Sequence, residues 1–185
     1  MKNLYSIIRS ALLASALVST SALADLSDIL SSGKVKIAVP EAFAPFGSVG
    51  ATGEHEGYDV DVAKLIAKDL GVELELVPVV SKQRIPFLET DRVDLVVSTM
   101  GANPSRAKSI NFSSAYAPFY SGIFAPSTVT INGSADLKGK TVGVTSGSLE
   151  DLELTSMAPE GTKIVRFGDN AVSYTHLRAH ETSTY

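Results

Sequence analysis

The chain has 185 residues, 44% hydrophobic and 19% charged, enough for one sizeable core or two small lobes. A formal net charge of −4 leaves nothing to offset phosphate charge, which argues against a nucleic-acid partner. With no Cys there is no disulfide framework, no thiolate nucleophile, no Cys-based zinc site and no thiol to carry a lipid anchor.

Lys2 and Arg9 precede the apolar run from Ala11 to Val18, and Ser21-Ala-Leu-Ala24 follows with small residues at the positions a signal peptidase reads. Positive, apolar and A-x-A segments in that order predict a secretory signal over residues 1–24, cleaved after Ala24. The apolar run falls short of the roughly 20 residues a spanning helix needs.

Lys34 to Val39 alternates and is β-rich, the pattern of a strand. A Pro/Gly-rich loop runs from Pro40 to Gly57, and Tyr58 to Leu70 reads as a helix. Val62, Ile66 and Leu70 share a face of it, Asp59 and Asp61 sit near its start, and Gly71 supplies a left-handed cap. Glu73 to Val80 predicts a second strand, Arg84 to Glu89 a short helix and Asp94 to Ser98 a third strand. Asn103-Pro104 predicts the opening of another helix, Asn as N-cap and Pro at the first helical position. Alternation of this kind implies a parallel sheet with helices on its faces. Phe119 to Ala125 reads as extended, and Ser127 to Asp136 is polar. The pattern restarts with a strand over Thr141 to Thr145, a helix over Leu149 to Met157 and a strand over Lys163 to Phe167. Near Val172 it ends: Tyr174 to Tyr185 holds two of the three His and has no strand pattern.

Ser98 and Thr99 end a predicted parallel strand, where open α/β sheets bind ligands, and Arg106 follows on the next turn. Arg carries a rigid fork of donors that matches a carboxylate, so the segment reads either as a carboxylate clamp or as a surface Arg paired with a neighbouring acid. Thr145-Ser-Gly-Ser148 repeats the strand, polar turn and helix start, as a second ligand contact or simply as a helix cap. Phe43 and Phe46 follow the first strand and are placed to pack on an aliphatic ligand stem, core packing being the alternative for Phe46. His176 and His180 with Glu181 match neither H-x-x-E-H nor H-E-x-x-H. No metal and no cofactor are expected.

Ala44-Pro-Phe46, Gly57 to Ala63, Arg84-Ile-Pro-Phe-Leu88, Asp94 to Thr99, Asn103-Pro-Ser-Arg106, Phe112 to Pro118 and Asp136 to Val144 together resemble the amino-acid-type periplasmic solute-binding proteins of ABC transporters. The resemblance implies an α/β, two-lobed periplasmic-binding-protein-like fold with a hinge crossover, closing on its ligand. The first lobe would span residues 25–126 and a partial second lobe residues 127–171. It implies that Arg106 holds the ligand α-carboxylate, with Ser98, Thr99 and a backbone N–H of Gly101 beside it. Phe43 would supply the first-loop aromatic, and Thr145 and Ser148 the second-lobe contacts. Glu150 falls where some members touch the ligand side chain. The acid that holds the α-amino group lies beyond Phe167, where the pattern stops. The function implied is non-enzymatic: a monomer in the periplasm delivering an amino acid to a membrane permease. A cyclohexadienyl dehydratase-like enzyme and a ligand-sensing domain are the alternatives. Residues 172–185 match nothing in the resembled family and read as translated adapter or frame-shifted DNA. The second lobe is therefore expected to be incomplete and the less stable half, its sheet edge unpaired.

Overall fold

The computed structural model describes residues 26–118 and 120–175. The predicted leader with its cleavage after Ala24, Phe119, and the tail from His176 with His180 lie outside the described residues.

The chain enters through α1 (Leu26–Ser32) and runs into β1 (Lys34–Pro40). A loop with a small antiparallel pair, β2 (Ser48–Val49) and β3 (His55–Glu56), leads to α2 (Tyr58–Leu70). Then come β4 (Glu73–Val79), α3 (Arg84–Glu89) and β5 (Leu95–Val96). The sheet has the order β4-β1-β5, with both pairings parallel. Parallel pairing is what the alternation predicted, and its cause is visible in β1. Val35, Ile37 and Val39 face one way, against Val60, Ala63 and Ala67 of α2 and Ile29 of α1. Ala38 faces the other way, against Val79, Val93 and the α3 residues Phe87 and Leu88. Both faces of the central strand are covered, which accounts for its nearly continuous apolar sequence.

The α2 stripe differs in detail from the expectation. Val60, Ala63 and Ala67 are the buried positions, and Val62, Ile66 and Leu70 pack at the margin of the same core. Small residues let the helix axis approach the sheet. Gly71 caps the helix at φ 69° and donates its N–H to Lys68 O, as predicted.

Three expected elements change. The third strand is two residues long, flanked by Asp94 and Val97 N–H groups that donate to Lys36 O and Ala38 O. The helix expected from Asn103 is one 3-10 turn, Arg106–Lys108. Asn103 Oδ1 does accept an N–H, that of Arg106 at 2.9 Å, but no apolar stripe follows to hold further turns against the core. Residues 120–125 form no strand, because no neighbouring strand offers them a ladder. Tyr120 and Phe124 are correspondingly 88% and 82% exposed.

A second α/β unit follows a 3-10 turn at Ser134–Leu137. β6 (Thr141–Thr145) and β7 (Lys163–Phe167) pair in parallel, and α4 (Leu149–Met157) crosses between them. These boundaries agree with the sequence reading. Leu137, Val144 and Leu154 make a small core. Residues 170–175 are helical, so strand-to-helix alternation persists past Val172, where it was expected to stop.

Candidate functional site

The site lies at the C-terminal ends of β4, β1 and β5, facing the start of α4. Ser98 is 1% exposed and its Oγ has no hydrogen-bond partner. The next residue, Thr99, sits at φ 48°, a left-handed conformation that a β-branched residue rarely adopts. Its hydroxyl donates to Asp59 Oδ2 at 2.6 Å. The other oxygen of Asp59 accepts from the Tyr116 hydroxyl at 3.0 Å. Asp59 thus ties the first turn of α2 to the end of β5 and to the 109–118 loop. It is 1% exposed, and burial pushes its carboxyl above the ordinary range while the Thr99 and Tyr116 hydrogen bonds pull it back. Burial and the Asp59 charge in turn push the Tyr116 hydroxyl well above its usual value.

Arg106 is 7% exposed. Its Nη1 donates to Gly101 O at 2.8 Å and its Nη2 to Gly147 O at 3.0 Å. The second bond crosses from the first lobe to the second. Gly101 meets Arg106 through its carbonyl. Two glycines allow the lobes this close. A methyl on Gly147, at φ 75°, would lie 3.0 Å from Lys82 Cα, and one on Gly101 would lie 2.7 Å from Leu149 Cδ2. A cleft of about 390 Å³ opens beside Arg106, lined by Ser81, Lys82, Ser105 and Gly147 among others.

In the second lobe Thr145 and Ser148 are buried. The Thr145 hydroxyl donates to Asn170 Oδ1. Ser148 Oγ accepts from Asp151 N at 3.1 Å, the helix-cap role that its sequence allowed. Asp151 Oδ2 accepts from Gly147 N, and Asp151 Oδ1 takes the Arg166 Nε at 2.8 Å, so one carboxylate fixes the turn that carries Gly147. Phe43 and Phe46 are half-buried with ring centroids 5.1 Å apart. Phe46 meets Tyr58 edge-on at 6.5 Å, and Tyr58 stacks on Tyr116 at 6.2 Å, so the first-loop aromatics continue to the rim of the Asp59 network.

Three participants escaped the sequence reading: Asp59, Tyr116 and Arg84. Asp59 reads in sequence as a helix-start acid, and its partners lie 40 and 57 residues away. Arg84 opens α3, is 5% exposed and has a buried Nε without a hydrogen-bond partner. A buried cation on a short helix carries no local signal.

A buried arginine thus joins two α/β units, with the Ser98 and Thr99 hydroxyls at the neighbouring strand end. Residues 35–178 match the model for bacterial extracellular solute-binding proteins, family 3, and the chain belongs to that family. The glutamine-binding protein of Geobacillus stearothermophilus is 35% identical over 159 residues, 83% of this chain and 60% of its own length. The arginine-bound form of truncated ArgBP from T. maritima superposes with a TM-score of 0.70 at 32% identity, covering 83% of this chain and 72% of that one. An ancestral amino-acid-binding protein, a precursor of cyclohexadienyl dehydratase, superposes at 0.74 with 29% identity, over 84% and 71% of the two chains. The chain spans 60% or less of the length of these curated relatives, 52% in the case of the Escherichia coli arginine-binding protein 1. The fold is accordingly that of a two-lobed periplasmic binding protein: the first lobe and, among the described residues, two strands of the second.

Proposed function

We propose that the chain is the ligand-binding part of an exported periplasmic protein that captures an amino acid and hands it to an ABC transporter permease, working as a monomer and without chemistry. One observation carries this reading. Arg106, buried at the junction of the lobes, spends the Nη donors it uses on the neutral carbonyls of Gly101 and Gly147. A ligand carboxylate offers that fork a charge-assisted pair in place of neutral acceptors. Burial lowers the Arg106 pKa, and the charge of Glu150 offsets part of that. Ser98, with an unpartnered hydroxyl, and Thr99, oriented by Asp59, flank the same strand end. Relatives named for glutamine and arginine support an amino acid as the ligand class, and Lys2, Arg9 and Ala22-Leu-Ala24 support export by a cleaved leader.

Equilibrium titration of the chain with an amino-acid panel, taken to high millimolar ligand, tests this. Arg106→Ala should weaken binding by 2–5 kcal/mol, about 30-fold to several-thousand-fold. Arg106→Lys should recover little, since an ammonium lacks the planar fork. Equal affinity in wild type and Arg106→Ala would overturn the clamp. Turnover of prephenate or arogenate would replace the binding reading with an enzymatic one.

A further inference from the structure

The Cγ of an asparagine side chain is open to attack by the main-chain nitrogen that follows it, and four asparagines lie among the described residues. Asn103 is followed by Pro104, which has no N–H to give up. Asn111 is followed by Phe112, whose side chain crowds the approach. Asn170 is half-buried at the start of the 170–175 helix, and its Oδ1 accepts from the Thr145 hydroxyl. Asn132 alone among the four is exposed and followed by glycine. Its backbone N–H is bonded, but among the described residues no hydrogen bond holds its side-chain amide.

The fold has no steric need of that glycine. Gly133 sits at φ −172°, an extended conformation any residue adopts, and a Cβ there would meet nothing within 4 Å. What the fold does control is the Gly133 nitrogen. Its N–H donates to Asp136 Oδ2 at 3.2 Å, and the Asn132 N–H donates to the same oxygen at 2.8 Å. The Asp136 N–H closes the turn on Gly133 O at 3.1 Å. Attack on Cγ needs the Gly133 N–H proton removed. A carboxylate that accepts from this N–H favours the protonated nitrogen and repels its anion. While the 3-10 turn Ser134–Leu137 is closed, the nitrogen is therefore both engaged and kept neutral.

We propose that Asn132 is a self-modification site: it deamidates through the Gly133 nitrogen when this turn opens, and Asp136 guards it while the turn is closed. The proton leaves Gly133 N for solvent base, the N–Cγ bond forms, the Cγ–Nδ2 bond breaks, and Nδ2 takes up a proton and departs as ammonia. Water then opens the succinimide ring at either carbonyl, giving aspartate or isoaspartate. Either product sets a new carboxylate close to Asp136, and isoaspartate also adds a methylene to the main chain between Ile131 and Gly133. Ile131 packs on the core of Leu137, Val144 and Leu154, and Leu137 ends the guarded turn. The loss therefore falls on the second lobe, whose core is the smaller of the two. Opening of the turn is a local event, so the reaction reports on the second lobe and not on global unfolding.

The test follows the full chain in warm, mildly alkaline buffer by intact mass and by peptide mapping with isoaspartyl methyltransferase. Wild type should exchange NH₂ for OH at position 132 and not at 103, 111 or 170. Gly133→Ala, which the open space around Gly133 and its extended backbone accommodate, should stop the exchange by crowding the nitrogen. Asp136→Ala removes two hydrogen bonds to a charged acceptor and should speed the exchange by at least about tenfold. That gain should vanish when Gly133→Ala is combined with Asp136→Ala. In chemical denaturation the isolated deamidated fraction should lose the second lobe at lower denaturant than the unmodified chain, with the first lobe's transition unmoved. Exchange at another asparagine, an equal rate in wild type and Gly133→Ala, or a rate in Asp136→Ala no faster than wild type would overturn the proposal.

Discussion

The two lobes solve the same problem with different resources. In the first, β1 is covered on both faces, and Val35, Ile37, Ala38, Val39, Val60 and Ala63 are all fully buried. In the second, two strands and one helix share a core of Leu137, Val144 and Leu154, none deeper than 1% exposed and two at 7%. Polar pins take up part of the load there: Asp151 holds Gly147, Ser148 and Arg166 at once. The first lobe is thus a rigid seat for Arg106, Thr99 and Asp59, and the second is a light cover that reaches it through Gly147. The lesson is that a binding cleft needs one well-packed wall to aim its donors, while the opposing wall needs mainly a backbone that can come close.

Breaking the first wall should have the largest effect. Ile37→Ala empties a fully buried site and should destabilise the first lobe by about 2–5 kcal/mol in chemical denaturation. Leu154→Ala, in a shallower core, should unfold the second lobe while the first lobe's transition stays in place. A shared loss would show that the lobes fold as one unit. Gly147→Ala sharpens the comparison at the contact itself. It puts a methyl 3.0 Å from Lys82 Cα at a φ of 75°, a conformation that costs an L residue about 1–2 kcal/mol. We expect each lobe's core to stay folded and the Arg106 bond to the carbonyl at position 147 to be lost, seen as faster exchange of the amides at positions 147 and 151. Arg166→Gln removes a half-exposed ion pair with Asp151 and should cost the second lobe only about 0.2–1 kcal/mol.

The smallest effect is electrostatic. Because burial raises the Asp59 pKa in the folded state, the native chain holds that proton at a pH where the unfolded chain releases it. The contribution of this group to stability is full below the unfolded value and is lost as pH rises through the folded one. Carbon-detected NMR titration should place the Asp59 midpoint above 3.8, and Thr99→Val or Tyr116→Phe should raise it further by removing a donor to the carboxylate. A midpoint below 3.8 would mean that the hydrogen bonds outweigh burial.

Most of the scaffold was legible in the sequence because it rests on local signals. The alternation of Lys34–Val39, the Gly71 cap and the apolar strand Thr141–Thr145 each act within a few residues, and the structure keeps them. The errors fall where tertiary partners decide. Phe119–Ala125 has strand composition, but its described part, residues 120–125, finds no partner strand. Asn103-Pro104 has helix-start chemistry, but no apolar face extends it beyond Lys108. In the site, Arg106 could be picked out because it follows a strand end closely. Arg84 and Asp59 could not, since their meaning comes from burial and from groups on other elements.

The central claim is that an amino acid binds between the lobes on Arg106, with the first lobe as the seat. An amide-detected NMR titration with L-glutamine addresses it most directly. The account predicts that the largest shift changes fall at Thr99, Gly101 and Arg106, with a second set at Gly147 to Glu150, and that Arg106→Ala abolishes both sets together. Saturable shifts confined to surfaces away from these two segments, or shifts that persist undiminished in Arg106→Ala, would contradict it.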